Sequence, residues 1–178
     1  MNKETIEQKP TAGCGIPLSC GRAVPTWLVI LDNVPTAILF VLGAALLVPL
    51  GWTFAALFLA YCALSIVLFW GRICPFCHHF GTRACPCGYG VIAARFFRRK
   101  TGGDFREVFR RNIVIMFPCW FIPLGGGAWL LHSEFSMGRL VLLSVFCFVG
   151  FVAIPLIAKL VGCRNCEIKK DCPWMTGK

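Results

Sequence analysis

Residues 52–70 read WTFAALFLAYCALSIVLFW, nineteen positions without a charge. As a helix, at 1.5 Å per residue, such a run crosses a hydrocarbon core of roughly 30 Å. Three more apolar blocks follow the same logic. Residues 140–161 form the second, with Lys159 near enough to its end to snorkel. Residues 112–131 form the third, interrupted by Pro118, Pro123 and the triplet Gly125, Gly126 and Gly127. Residues 27–50 form the fourth, and there Asp32 and Asn33, followed by Pro35, read as an N-cap and first turn. That reading starts the span at 34 and leaves 27–31 at the interface. With 57% hydrophobic and 15% charged residues, an ordinary soluble domain is excluded. The sequence predicts an all-α integral membrane protein, a four-helix bundle.

Charge sets the expected orientation. Four spans put the N-terminus, the loop 71–111 and the C-terminus on one side, together with seventeen of the eighteen Lys and Arg residues. Arg139 alone lies opposite, so this side is expected to be cytoplasmic and the protein multi-pass in the inner (cytoplasmic) membrane. The net charge of +10 is then a topology signal, and no nucleic-acid partner is expected. The predicted organisation is a cytoplasmic tail 1–26, a hairpin 27–70, a cysteine-rich basic loop 71–111, a second hairpin 112–161 with spans 112–131 and 140–161, and a cysteine-rich tail 162–178. No apolar leader segment is apparent at the N-terminus.

Twelve cysteines sharpen the expectation. Cys62, Cys119 and Cys147 fall within spans, and the other nine fall on the predicted cytoplasmic side. A reducing compartment disfavours structural disulfides, so clustered thiols there point to metal or redox chemistry. Cys74-Pro-Phe-Cys77 and Cys85-Pro-Cys87-Gly place two short chelating turns close together. Four thiolates suit zinc or an iron–sulfur cluster, making Cys74, Cys77, Cys85 and Cys87 the candidate metal ligands. His78 and His79 follow directly and read as solvated interfacial residues, with a ligand role as the alternative. No span carries a histidine, which argues against a haem held by paired helix histidines.

The C-terminal stretch CRNCEIKKDCPW contains Cys163, Cys166 and Cys172, the last followed by proline. Its spacing resembles three of the four ligands in the iron–sulfur loop of base-excision glycosylases, and part of the auxiliary-cluster domains of some radical SAM enzymes. The terminal Cys-Pro is similar to the close of the bacterial ferredoxin run. Across about a dozen residues, the resemblance implies a cofactor-ligand role for Cys163, Cys166 and Cys172. It departs from those families in having no fourth cysteine at their position, which leaves Cys14 or Cys20 to supply it. The Cys74–Cys77 tetrapeptide also looks like the active site of some glutaredoxin-like proteins, without other signs of that fold.

Between 91 and 111, basic residues interleave with Phe96, Phe97, Phe105, Val108 and Phe109 at helical spacing. Gly102 and Gly103 divide this stretch, and Asp104 with Glu107 forms a capping-box pattern. Two interfacial amphipathic helices are expected, meeting anionic lipid or a soluble partner.

These features predict a metal-binding cytoplasmic cap on a membrane anchor. The first functional expectation is an electron-transfer subunit with one or two [4Fe–4S] clusters, linking a cytoplasmic protein partner in a hetero-oligomeric complex to the bilayer or its quinone pool. The first alternative is a non-enzymatic scaffold or assembly subunit with structural zinc at Cys74, Cys77, Cys85 and Cys87. The second is a thiol–disulfide oxidoreductase using Cys74 and Cys77.

Overall fold

A computed structural model describes residues 23–163, with side chains as far as 160. Cys14, Cys20, Cys166 and Cys172, and the side chain of Cys163, lie outside the described residues. Among the described residues every regular element is helical. Four helical runs are long and apolar enough to cross a membrane: Thr26–Leu50, Trp52–Phe76, Phe105–Ser133 and Met137–Leu160. The chain is a multi-pass membrane protein.

The first run is α1 (Thr26–Leu47) closed by a tight turn at Val48–Leu50. Pro25 stands at its N-cap, so the helix starts eight residues before the sequence-predicted span. Asp32 and Asn33 therefore lie in the second turn and do not cap it. The apolar residues before Asp32 favour continuing the helix, and the Asn33 side chain joins its ladder by donating to the Val29 carbonyl at 2.7 Å. Pro35 is accommodated inside α1.

Gly51, at φ 133°, reverses the chain into α2 (Trp52–Arg72). Two short helices, α3 (Tyr89–Phe96) and α4 (Phe105–Asn112), follow the cysteine-rich loop. The predicted break at Gly102 and Gly103 falls between them, and the Asp104 carboxylate caps α4 by accepting from the Arg106 amide at 3.1 Å. A 3₁₀ turn at Ile113–Met116 leads into α5 (Pro118–Ser133). The last run comprises α6 (Met137–Phe148), a π-helical turn, α7 (Ile154–Ile157) and a second π-helical turn at Ala158–Cys163.

α1 contacts each of the other three spans, and the packing explains two of the three glycines of α5. A Cβ on Gly126 would sit 2.7 Å from a Leu47 methyl, and one on Gly127 would press on Leu46 and Leu143. These small residues let the helices approach closely, as small residues do in membranes. On one side Leu39, Leu46 and Phe146 form a buried cluster, and on the other Phe58, Cys62 and Cys119 pack with Leu47. Cys62 and Cys119 bring their sulfurs to 3.7 Å, and the Ser65 hydroxyl lies 3.5 Å from the Cys119 sulfur. Trp120 donates to the Gly150 carbonyl at 3.4 Å, in the first π-helical turn.

Register fixes which segments share an end of the bundle. Gly150 packs directly on Leu39, and Leu143 meets Leu46 across Gly127, so α1 and the last run are antiparallel. Counting equal steps toward the loop end reaches Thr26 on one helix and Cys163 on the other, and the Ala158–Cys163 turn contacts α1.

The 3₁₀ turn at Ile113–Met116 leaves a carbonyl for a side chain to satisfy. Tyr61 of α2 donates to the Ile115 carbonyl at 2.7 Å. Tyr61→Phe is expected to cost about 1 kcal/mol, lowering the unfolding midpoint by roughly 2–4 °C. Thermal unfolding in lipid nanodiscs measures this, and an unchanged midpoint would show that the bond carries no stability.

Candidate thiol centre

The thiol loop begins where α2 ends. Ile73 is buried, and Cys74-Pro75-Phe76 forms one 3₁₀ turn closed by the Cys77 amide donating to the Cys74 carbonyl at 3.0 Å. Proline favours this geometry because its fixed φ suits the first position of a helical turn. The chain tightens again as the Phe80 amide donates to the Cys77 carbonyl and the Thr82 amide to the His79 carbonyl.

Cys85-Pro86-Cys87-Gly88 makes the second turn, closed from the Gly88 amide to the Cys85 carbonyl at 3.1 Å. Gly88 adopts φ 72°, the left-handed region that favours glycine, and turns the chain into α3. Gly90 holds the two turns against each other. A Cβ there would lie 2.5 Å from the His79 carbonyl oxygen, its carbonyl accepts from the Gly81 amide, and its own amide donates to the Cys85 sulfur at 3.4 Å.

Four anchors seat this loop on the bundle. The Asn33 amide donates to the Cys87 carbonyl at 3.1 Å, and Gly88 packs on Val29 so closely that a Cβ would meet its methyl at 2.8 Å. The Val24 amide donates to the Arg83 carbonyl, while within the loop itself the Lys100 amide donates to the Pro75 carbonyl. Phe69 and Trp70 of α2 pack edge-on against Tyr89, at ring separations of 6.0 and 5.8 Å. The Trp70 indole N–H is buried without a hydrogen-bond partner.

All four loop cysteines belong to one electrostatic cluster. Cys74 and Cys85 are buried, while Cys77 and Cys87 are half-buried. Cys77 and Cys85 each lie within electrostatic reach of Cys74, and Cys87 within reach of Cys85, Cys74 and Asp32. Interaction with the neighbouring Cys87 thiol pulls Cys85 down to about 6, aided by the Gly90 amide against the cost of burial. Cys87, holding the shared proton, is pushed up by that interaction and by burial. Burial raises Tyr89, and the charges of Cys87, Asp32, Cys74 and Cys85 add to the effect.

Donor chemistry thus fits a thiophilic centre, but its geometry is not closed. Among the described residues no three His, Cys, Asp or Glu side chains stand together in ligating arrangement. His78 is exposed, as expected of an interfacial histidine, and His79 contributes its backbone carbonyl to the loop. Sequence reasoning missed Asn33, Tyr89 and the close approach at Gly90. Only the Gly-Tyr-Gly after Cys87 signalled any of them.

The proton shared by Cys85 and Cys87 makes a pH prediction for metal-free protein. Cys85 is protonated and slow below its midpoint, so alkylation by iodoacetamide should rise through about pH 6. Cys87→Ala removes the thiol donor and should move that midpoint up toward the ordinary thiol range. Peptide mass spectrometry across pH reads both, and a wild-type Cys85 that titrates like an exposed thiol would refute the shared proton.

Comparison with known proteins finds no matching family model, no matching curated protein and no matching solved structure.

Proposed function

We propose that this chain is a membrane-anchored metal-binding protein whose loop thiols Cys74, Cys77, Cys85 and Cys87 hold a thiophilic centre on the cytoplasmic face. One observation carries the reading: two cysteine turns are drawn into a single electrostatic cluster by backbone bonds through Gly90 and by anchoring on α1. Two buried and two half-buried thiols are soft donors of the kind that thiophilic cations select. Among the described residues these thiols do not form a ligating group, so ligation would require the loop to rearrange.

In this reading the centre is an iron–sulfur cluster, which supplies one-electron chemistry when bound, and the protein is an electron-transfer subunit. Its bilayer anchor places that chemistry beside the quinone pool, and the basic loop offers a soluble partner a docking surface. Cys163, Cys166 and Cys172, with Cys14 or Cys20, would hold a second cluster. The register that sets Cys163 level with Thr26 supports bringing both cysteine groups to one end of the bundle. Structural zinc at the same four loop residues is the scaffold alternative. The thiol–disulfide alternative uses Cys74 and Cys77, which one 3₁₀ turn holds together.

Purification without oxygen, followed by elemental analysis and electron paramagnetic resonance, separates these readings. Iron with a paramagnetic signal on reduction supports electron transfer. Zinc alone supports the scaffold, and a metal-free protein leaves the dithiol.

A further inference from the structure

Cys62 and Cys119 form a second thiol pair, inside the bundle and apart from the loop. Cys62 lies in the run Trp52–Phe76 and Cys119 in the run Phe105–Ser133, each close to the midpoint of its helix. Both therefore stand far from either end of their spans. Their sulfurs are 3.7 Å apart, already in contact. At 1% and 0% exposure they are among the most completely buried side chains of the described residues.

Hydrogen bonds on either side of Cys62 hold the two helices together at this level. Tyr61 donates to the Ile115 carbonyl at 2.7 Å. One turn beyond Cys62, the buried Ser65 hydroxyl donates to the Cys62 carbonyl at 2.8 Å and lies 3.5 Å from the Cys119 sulfur. A hydroxyl carries one hydrogen. With that hydrogen on the carbonyl, the Cys119 thiol donates to the Ser65 oxygen, and the Cys62 thiol donates to the Cys119 sulfur. The two sulfurs thus face each other across the helices, whereas a buried cysteine that only fills space needs no such partner. Joining them requires closure from 3.7 Å to about 2.05 Å.

We propose that Cys62 and Cys119 are an oxidisable dithiol that a small hydroperoxide converts to a disulfide, stapling the second span to the third. Burial this deep bars a bulky oxidant from the sulfurs and favours one barely larger than water. One sulfur takes an oxygen from the peroxide: the O–O bond breaks, an S–O bond forms, and the thiol proton leaves on the other oxygen as water. The second sulfur attacks that sulfenic sulfur, so the S–S bond forms and the S–O bond breaks. Its proton leaves with the hydroxyl as a second water. The thiol pair gives up two electrons, the peroxide accepts two, and no charge is left in the apolar interior. The new bond ties the first hairpin to the second, and it does so whether or not the loop between them holds a metal.

The test treats the full-length wild-type protein in lipid nanodiscs with hydrogen peroxide, then denatures, alkylates and maps it by peptide mass spectrometry. Alkylation should be lost at both Cys62 and Cys119. In its place a peptide pair joined through them should appear, two hydrogen atoms lighter than the separate peptides and split by a phosphine reductant. The unfolding midpoint should rise on oxidation in wild type and not in Cys62→Ser, where the cross-link is gone. Recovery of Cys62 and Cys119 as free thiols, under peroxide that oxidises the half-buried Cys147, overturns the proposal. So does either sulfur found as sulfinic acid or bonded to another cysteine, because the two are then not each other's partner. A cross-link that leaves the wild-type midpoint unmoved overturns the stapling of the spans.

Discussion

On the proposed metal-binding reading, Cys85→Ser is expected to empty the loop of metal. Cys85 joins the two turns: it is buried, receives the Gly90 amide and the Cys87 thiol, and lies within electrostatic reach of Cys74. Serine keeps the size but gives up the soft, readily ionised sulfur that thiophilic metals select. Affinity should fall by more than the roughly hundredfold that an outer-shell change costs. Cys147→Ser, in the fourth span and remote from the loop, should leave metal content unchanged. Metal analysis of the two variants side by side decides the matter, and full occupancy in Cys85→Ser would remove the centre from this loop.

The second large effect is at Gly90. A methyl group there meets a backbone oxygen, that of His79, at 2.5 Å, and backbone cannot swing aside as a side-chain tip can. Gly90→Ala must push the two turns apart, lengthening the bonds from the Gly81 amide and to the Cys85 sulfur. Overpacking of this kind costs typically 1–3 kcal/mol. The loss should fall on the loop, so Cys74 and Cys85 in metal-free protein should alkylate faster while the four spans stay folded. Gly102→Ala is the control: its φ of 97° is also unusual, but its surroundings are open, so only backbone strain of roughly 1–2 kcal/mol applies. Equal thiol reactivity in the two variants would show that Gly90 does not hold the turns together.

How much of this was legible in the sequence depends on the range of the interaction involved. The spans were legible because hydrophobic length alone decides them, whereas the glycine triplet, seen only as an interruption, turned out to include two close-packing positions, Gly126 and Gly127. The start of α1 was not legible. Asp32, Asn33 and Pro35 carry a strong local cap signal, but the apolar residues before them extend the helix to Thr26, and tertiary partners occupy the polar side chains. The two chelating turns were visible as motifs. Their seating on α1 joins residues more than fifty positions apart, Asn33 and Cys87, through a hydrogen bond that no local pattern announces. Gly90 could be seen only as one glycine among eighteen, since its role depends on where the His79 carbonyl arrives.

One helix serves both the bundle and the loop. α1 is the post against which the three other spans lean, and its loop-side turns are also the saddle for Cys87 and Gly88. A thinner or thicker bilayer that tilts this post must shift the saddle with it, because Asn33 and Val29 are built into the same rigid rod. The cysteine turns are thus carried by the first span, and any movement of that span carries Cys87 and Gly88 along with it.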